Sequence, residues 1–164
     1  MKKIRFIISL VLLFAVFLVS SSECFALKRV VPEKDKNSIV EKYLKNHQLD
    51  PVEGIWSFTV NGYYGEMAII KNPSSTVYSD WNYVGVMVSE EFGQIGEAKI
   101  MLKKSANPSI YPGAYVTQKG FSQDTENTIF VMQANSFMQV NVSIGPVSFV
   151  RMDNFASAPS ASKD

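Results

Sequence analysis

The spacing of hydrophobic residues takes three forms along the chain. From Ile7 to Val19 the residues are apolar apart from Ser9. Between Ser38 and His47, Ile39, Val40, Tyr43 and Leu44 recur at helical spacing, while Glu41, Lys42 and Lys45 fall on the opposite side. Ser38 with Glu41 three residues on has the form of a capping box, and Asp50-Pro51 ends the segment. This predicts one amphipathic helix over residues 38–47. It is too short to hold alone in water, so it must dock, and an open end of the fold is the expected place.

From Gly54 the period is two. Trp56, Phe58 and Val60 alternate with Ser57 and Thr59, and Asn61-Gly62 gives a strong two-residue hairpin signal before Tyr63 to Lys71. Further strands are predicted over 83–89, 97–105, 114–118, 128–134, 137–144 and 147–152. In the fourth, Ala98, Ile100 and Leu102 oppose Lys99 and Lys103. Asn107-Pro108, Pro112-Gly113, Asn135-Ser136 and Gly145-Pro146 punctuate them. Eight short strands joined mostly by tight turns indicate an all-β antiparallel barrel or sandwich.

The first 26 residues have the three parts of a secretion signal: Lys2, Lys3 and Arg5, then an apolar core, then Cys24-Phe25-Ala26 as a small-x-small cleavage pattern. The core of about 13 residues is short for a membrane span, which needs roughly 20. A retained anchor and a lipidated Cys24 are the alternatives, and Glu23 stands where lipidation wants a small residue. Cleavage after Ala26 is expected, with a bacterial style of signal and a periplasmic or secreted destination. Membrane association then belongs only to the uncleaved signal. Residues 27–37 read as a flexible lead, 38–152 as helix plus β domain, and 153–164, rich in Ser and Ala, as a disordered tail.

Removing the signal changes the charge. Sixteen basic and 15 acidic residues become 13 and 14 without Lys2, Lys3, Arg5 and Glu23, so +1 becomes −1. That balance argues against non-specific nucleic-acid binding. The only cysteine leaves too, and one histidine, His47, remains, which excludes a Cys- or His-rich metal site.

Gly54-Ile55-Trp56 opens the first strand and Arg151 lies in the last, on the same face as Val147 and Phe149. This resembles the kernel of the lipocalin and calycin barrels, which implies an antiparallel up-and-down eight-stranded lipocalin-like barrel. In that family the arginine lies over the tryptophan ring and closes one end, which makes Gly54, Trp56 and Arg151 the structural set. The sequence departs from lipocalins proper. Asn135-Ser136-Phe137 stands where a Thr-Asp-Tyr-like turn belongs, and no helix is predicted after the last strand.

Candidate chemistry is sparse. His47 reads as a capping or solvent-facing histidine at a helix C-terminus, where a cation suits the helix dipole. Glu90-Glu91 are adjacent and point apart along the chain. Glu66, among apolar neighbours, reads as an outward acid. The serines lack a nucleophile elbow, and Gly93 to Gly96 lacks phosphate-loop spacing. No catalytic residue, metal ligand or cofactor is assigned. Tyr63, Tyr64, Tyr78, Trp81 and Tyr83 form a dense aromatic group suited to a binding rim or to a core. The expected inward rows are Trp56, Phe58 and Val60, then Val84, Val86 and Val88, then Ile100 and Leu102, with Phe149. The expected function is binding of an apolar or amphipathic small molecule by Trp56, Phe58, Tyr64, Tyr83, Val86, Ile100 and Phe149. The alternative is an extracytoplasmic protein-interaction or inhibitor-type barrel, with a filled core and no ligand, that meets an envelope protein through its rim.

Overall fold

A computed structural model describes residues 29–73, 79–119 and 122–152. The expected signal with Cys24, Tyr78 and the tail from Asp153 lie outside the described residues. Among the described residues one helix, α1 (Lys36–Tyr43), precedes eight strands: β1 (Gly54–Val60), β2 (Tyr63–Lys71), β3 (Tyr83–Met87), β4 (Ala98–Leu102), β5 (Ile110–Lys119), β6 (Ser122–Gln133), β7 (Phe137–Val142) and β8 (Gly145–Arg151). Each strand pairs antiparallel with the next, and β8 returns to β1, closing an up-and-down barrel. Closure leaves no exposed sheet edge.

The Asn61-Gly62 hairpin forms as expected, with both residues at positive φ. Pro112, expected to precede a strand, lies inside β5 opposite Ile129. Its carbonyl accepts from the Lys103 N–H at 2.8 Å, just past the end of β4. The missing proline N–H faces that same side, where β4 no longer needs it.

The helix differs from expectation in extent and in place. It begins two residues before Ser38 and ends four before His47. Asp35, not Ser38, is the N-cap: its carboxylate accepts from the Ser38 N–H at 2.9 Å and the Ser38 hydroxyl at 2.7 Å. Glu41, assigned to a capping box, instead pairs with Lys45. Nor does α1 cover an open end. Its buried Ile39, with Leu44 and Val31, packs on the outer wall against Ile55, Ala68, Ile70, Val84 and Val86. The described residues therefore form two apolar clusters, one inside the barrel and one between its wall and the N-terminal segment.

That second cluster corrects the expected inward rows. Val84, Val86 and Val88 face outward beneath the N-terminal segment, and Tyr83, Gly85 and Met87 provide the inner row of β3. Where both faces of a strand are covered, Tyr-Val-Gly-Val-Met reads equally well in either register, and a slip of one residue exchanges every side chain. The rows of β1, β8 and Ile100 with Leu102 face inward as expected.

The inner cluster is tightly filled. Phe149 lies 5.9 Å from Phe58 and 6.1 Å from Phe130, centre to centre. Glycines make room for these rings and chains. A Cβ on Gly85 would stand 2.4 Å from Ile100, and one on Gly113 would stand 2.8 Å from Phe130.

Candidate functional site

The two ends of the barrel are built differently. One end holds the start of β1 and the end of β8. Trp56 and Arg151 are register partners there, and the guanidinium carbon lies 5.1 Å from the centre of the Trp56 ring. Trp56 donates its indole N–H to the Val52 carbonyl at 2.9 Å. Arg151 donates to the carbonyls of Asn135, at 3.0 Å, and Glu53. Gly54 has φ +143, and a Cβ there would stand 3.0 Å from the Arg151 guanidinium. Backbone conformation and space both require glycine. The kernel noted in the sequence is thus one packed unit.

Glu53 completes this end, and nothing in the sequence singled it out. Its side chain is fully buried. One carboxylate oxygen lies 2.9 Å from His47 Nε2 and accepts from the Lys71 N–H at 3.3 Å; the other accepts from the Asp50 N–H at 2.7 Å. His47, expected to face solvent, is partly buried against it. Tyr83 donates its hydroxyl to Asp50 at 2.7 Å, and Lys104 lies 3.1 Å from the same carboxylate. Burial, then Asp50, push the Tyr83 hydroxyl far above the ordinary phenol range. Burial opposes charge on Asp50, but the bonds from Tyr83 and Lys104 hold its carboxyl below the ordinary value. The carboxylates here are committed to sealing the barrel, and among the described residues no cluster has the composition of a metal site.

The opposite end holds the β1–β2, β3–β4 and β7–β8 turns. Its closing side chains, Phe92, Val142 and Ile144, are only partly buried. Phe92, on the β3–β4 loop, lies 5.1 Å from Phe58 inside the barrel and 6.4 Å from the exposed Tyr63. Beneath it is Lys99, which the alternation assigned to the solvent face. The pairing of β3 with β4 shifts there: Gly85 opposes Ile100 and Val86 opposes Ala98, leaving Lys99 over as a bulge. A bulge re-aims the side chain it carries. Lys99 is 6 % exposed, with its Nζ 5.3 Å from the centre of the inward Tyr115 ring and 6.0 Å from that of Phe92. Burial lowers the Lys99 ammonium below its ordinary value, while Glu97 opposes this from a distance. The fully buried Tyr115 hydroxyl has no hydrogen-bond partner among the described residues, and burial pushes it well above the phenol range.

The expected ligand-binding residues divide accordingly. Trp56, Phe58, Ile100 and Phe149 face the interior. Tyr83 also faces inward, at the sealed end, where its hydroxyl is occupied. Val86 is on the outer wall. Tyr64 is outside as well, exposed, and donates to Glu66 at 3.0 Å. Tyr64 and Tyr83, both expected to contact the ligand, therefore stand at opposite ends. Glu66 is outward as expected; a bond from Lys36 at 2.8 Å lowers its carboxyl below the ordinary range. Trp81 packs against the outer cluster beneath Lys103. Lys99, Phe92 and Tyr115 were missed. A bulge leaves no mark in hydropathy, and Lys99 fits the polar side of its strand in any straight reading.

Comparison of the chain with protein-family models, curated proteins and solved structures finds no match. The architecture itself is that of an eight-stranded antiparallel up-and-down β-barrel, compatible with a calycin-like fold.

Proposed function

We propose that this protein is an exported, lipocalin-like binding barrel that takes an amphipathic small molecule through its hairpin end. The observation that carries this reading is the difference between the ends. One is sealed by Trp56, Arg151 and the buried Glu53. The other is closed by partly exposed apolar side chains, chiefly Phe92 on a loop. A ligand enters by displacing Phe92 and meets Phe58 and the inner rows below. The reading assigns no enzymatic step and no cofactor.

A neutral fluorophore such as N-phenyl-1-naphthylamine tests it. Its emission should rise saturably on titration with the protein. Val60→Phe, which adds bulk on the inward face at the same end, should suppress that rise while the far-ultraviolet dichroism persists. Flat emission across a panel of neutral apolar probes would reject the reading.

A second reading has support in the filled core. Ile129, Val131, Val150 and Met152 are exposed on the outer surface of β6 and β8 and just beyond β8. A barrel without a ligand would use such a surface to meet an envelope protein. Native mass spectrometry of protein purified from its own host separates the two: retained small-molecule mass supports the first, and a bound polypeptide the second.

A further inference from the structure

We propose that the hairpin end selects ligands carrying a single carboxylate, which Lys99 and Tyr115 hold together beneath Phe92. This rests on the small-molecule reading above and adds the chemical class of the ligand.

The argument begins with what is missing around Lys99. An ammonium offers three donors and no acceptor, and its burial is costly without a counter-charge. The rings of Tyr115 and Phe92 compensate part of that cost, as aromatic faces do. Yet no carboxylate among the described residues lies within salt-bridge distance of Lys99. Glu97, the nearby acid, accepts from the Gln94 N–H at 2.9 Å. Glu126, the register partner of Tyr115, accepts from the Ser143 N–H at 2.6 Å and from its hydroxyl.

Tyr115 supplies the independent second observation. Its hydroxyl is buried without a partner among the described residues, and most such groups in folded proteins are satisfied. The Lys99 ammonium lies over the ring that carries this hydroxyl, so the two polar groups share one small region of an otherwise apolar interior. A carboxylate answers both needs. One oxygen takes the charge-assisted bond from Lys99, and the other accepts from the Tyr115 hydroxyl. One ammonium and one neutral hydroxyl match a singly charged head. The apolar surroundings, Phe58 and Phe92, match a hydrocarbon stem. The bulge that turns Lys99 inward is then the device that builds the site.

Isothermal titration of the processed protein with dodecanoate and with dodecanol at pH 7 tests this. Dodecanoate should bind at least 10-fold more tightly. Lys99→Met should abolish that preference while binding of the alcohol persists, which also shows that the variant is folded. Tyr115→Phe should reduce the preference severalfold. Equal affinities in the parent protein, or a preference that survives Lys99→Met, would overturn the carboxylate site and leave the binding barrel standing. Failure of both compounds to bind would remove the binding reading itself, and this inference with it.

Discussion

Arg151 does three things with one side chain. It stacks on Trp56, donates to Glu53 and Asn135, and fills the space left by Gly54. Removing it costs stacking and leaves carbonyls without donors, so Arg151→Ala should destabilise by about 1–3 kcal/mol in urea unfolding. A double-mutant cycle with Trp56→Phe should show coupling above about 0.5 kcal/mol; additive effects would mean that the contact carries no energy. Lys99 is the opposite kind of residue, one whose burial weakens the fold. Lys99→Met should stabilise the ligand-free protein by about 1–2 kcal/mol near neutral pH. The sign of its pH dependence follows from its lowered ammonium. Below that lowered value both folded and unfolded chains are protonated, and the burial penalty is complete. As pH rises from there toward the ordinary 10.5, the unfolded chain holds the proton that the folded chain has released, and the penalty shrinks. The gap between Lys99→Met and the parent protein should therefore narrow with rising pH. A gap constant from pH 7 to 10 would show that Lys99 is not desolvated.

At the scale of elements, α1 is held by the wall on which it lies. Eight residues make a marginal helix in water, and Ile39 with Leu44 supply its attachment. Ile39→Ala should cost about 2–4 kcal/mol, because the side chain is fully buried between helix and sheet. Val86→Phe belongs to the same layer. It should overpack the helix–wall contact and destabilise by about 1–3 kcal/mol without obstructing the barrel interior. Thermal melts with probe titrations of the folded variant distinguish these effects, and loss of probe binding in a stable Val86→Phe would contradict the outward placement. The strand boundaries legible in the sequence were those marked by turns, such as Asn61-Gly62 before β2. Those set by pairing were not: β5 and β6 extend each other well beyond their apolar stretches, to Lys119 and Ser122.

For the whole molecule, closure between β8 and β1 joins the two ends of the domain in sequence. Contacts so distant make folding slow, and most of the loop entropy must be lost before Trp56 meets Arg151. Under the proposed export, the chain completes that closure after crossing the membrane. We expect the exported protein to begin at Leu27; N-terminal sequencing of the extracytoplasmic fraction checks this, and intact Met1 in a membrane fraction would overturn the compartment. Trp56 lies at the sealed end, away from the proposed entrance. Its emission is therefore a poor reporter of binding, and the probe's own emission is the better one.

The sequence by itself determined the strand number and the antiparallel hairpin order, while the contact of Gly54, Trp56 and Arg151 was implied by their resemblance to the calycin kernel. Period-two hydropathy, turn residues and a barrel's need to join its first and last strands are local or topological facts. Tertiary structure alone decided which face of β3 is inside, because the N-terminal segment makes both faces apolar. It alone placed Glu53 in the seal, through a histidine and backbone donors that converge only in three dimensions. It also turned Lys99 inward, because the β3–β4 register shift is a property of the pair of strands, and neither strand's own sequence contains it.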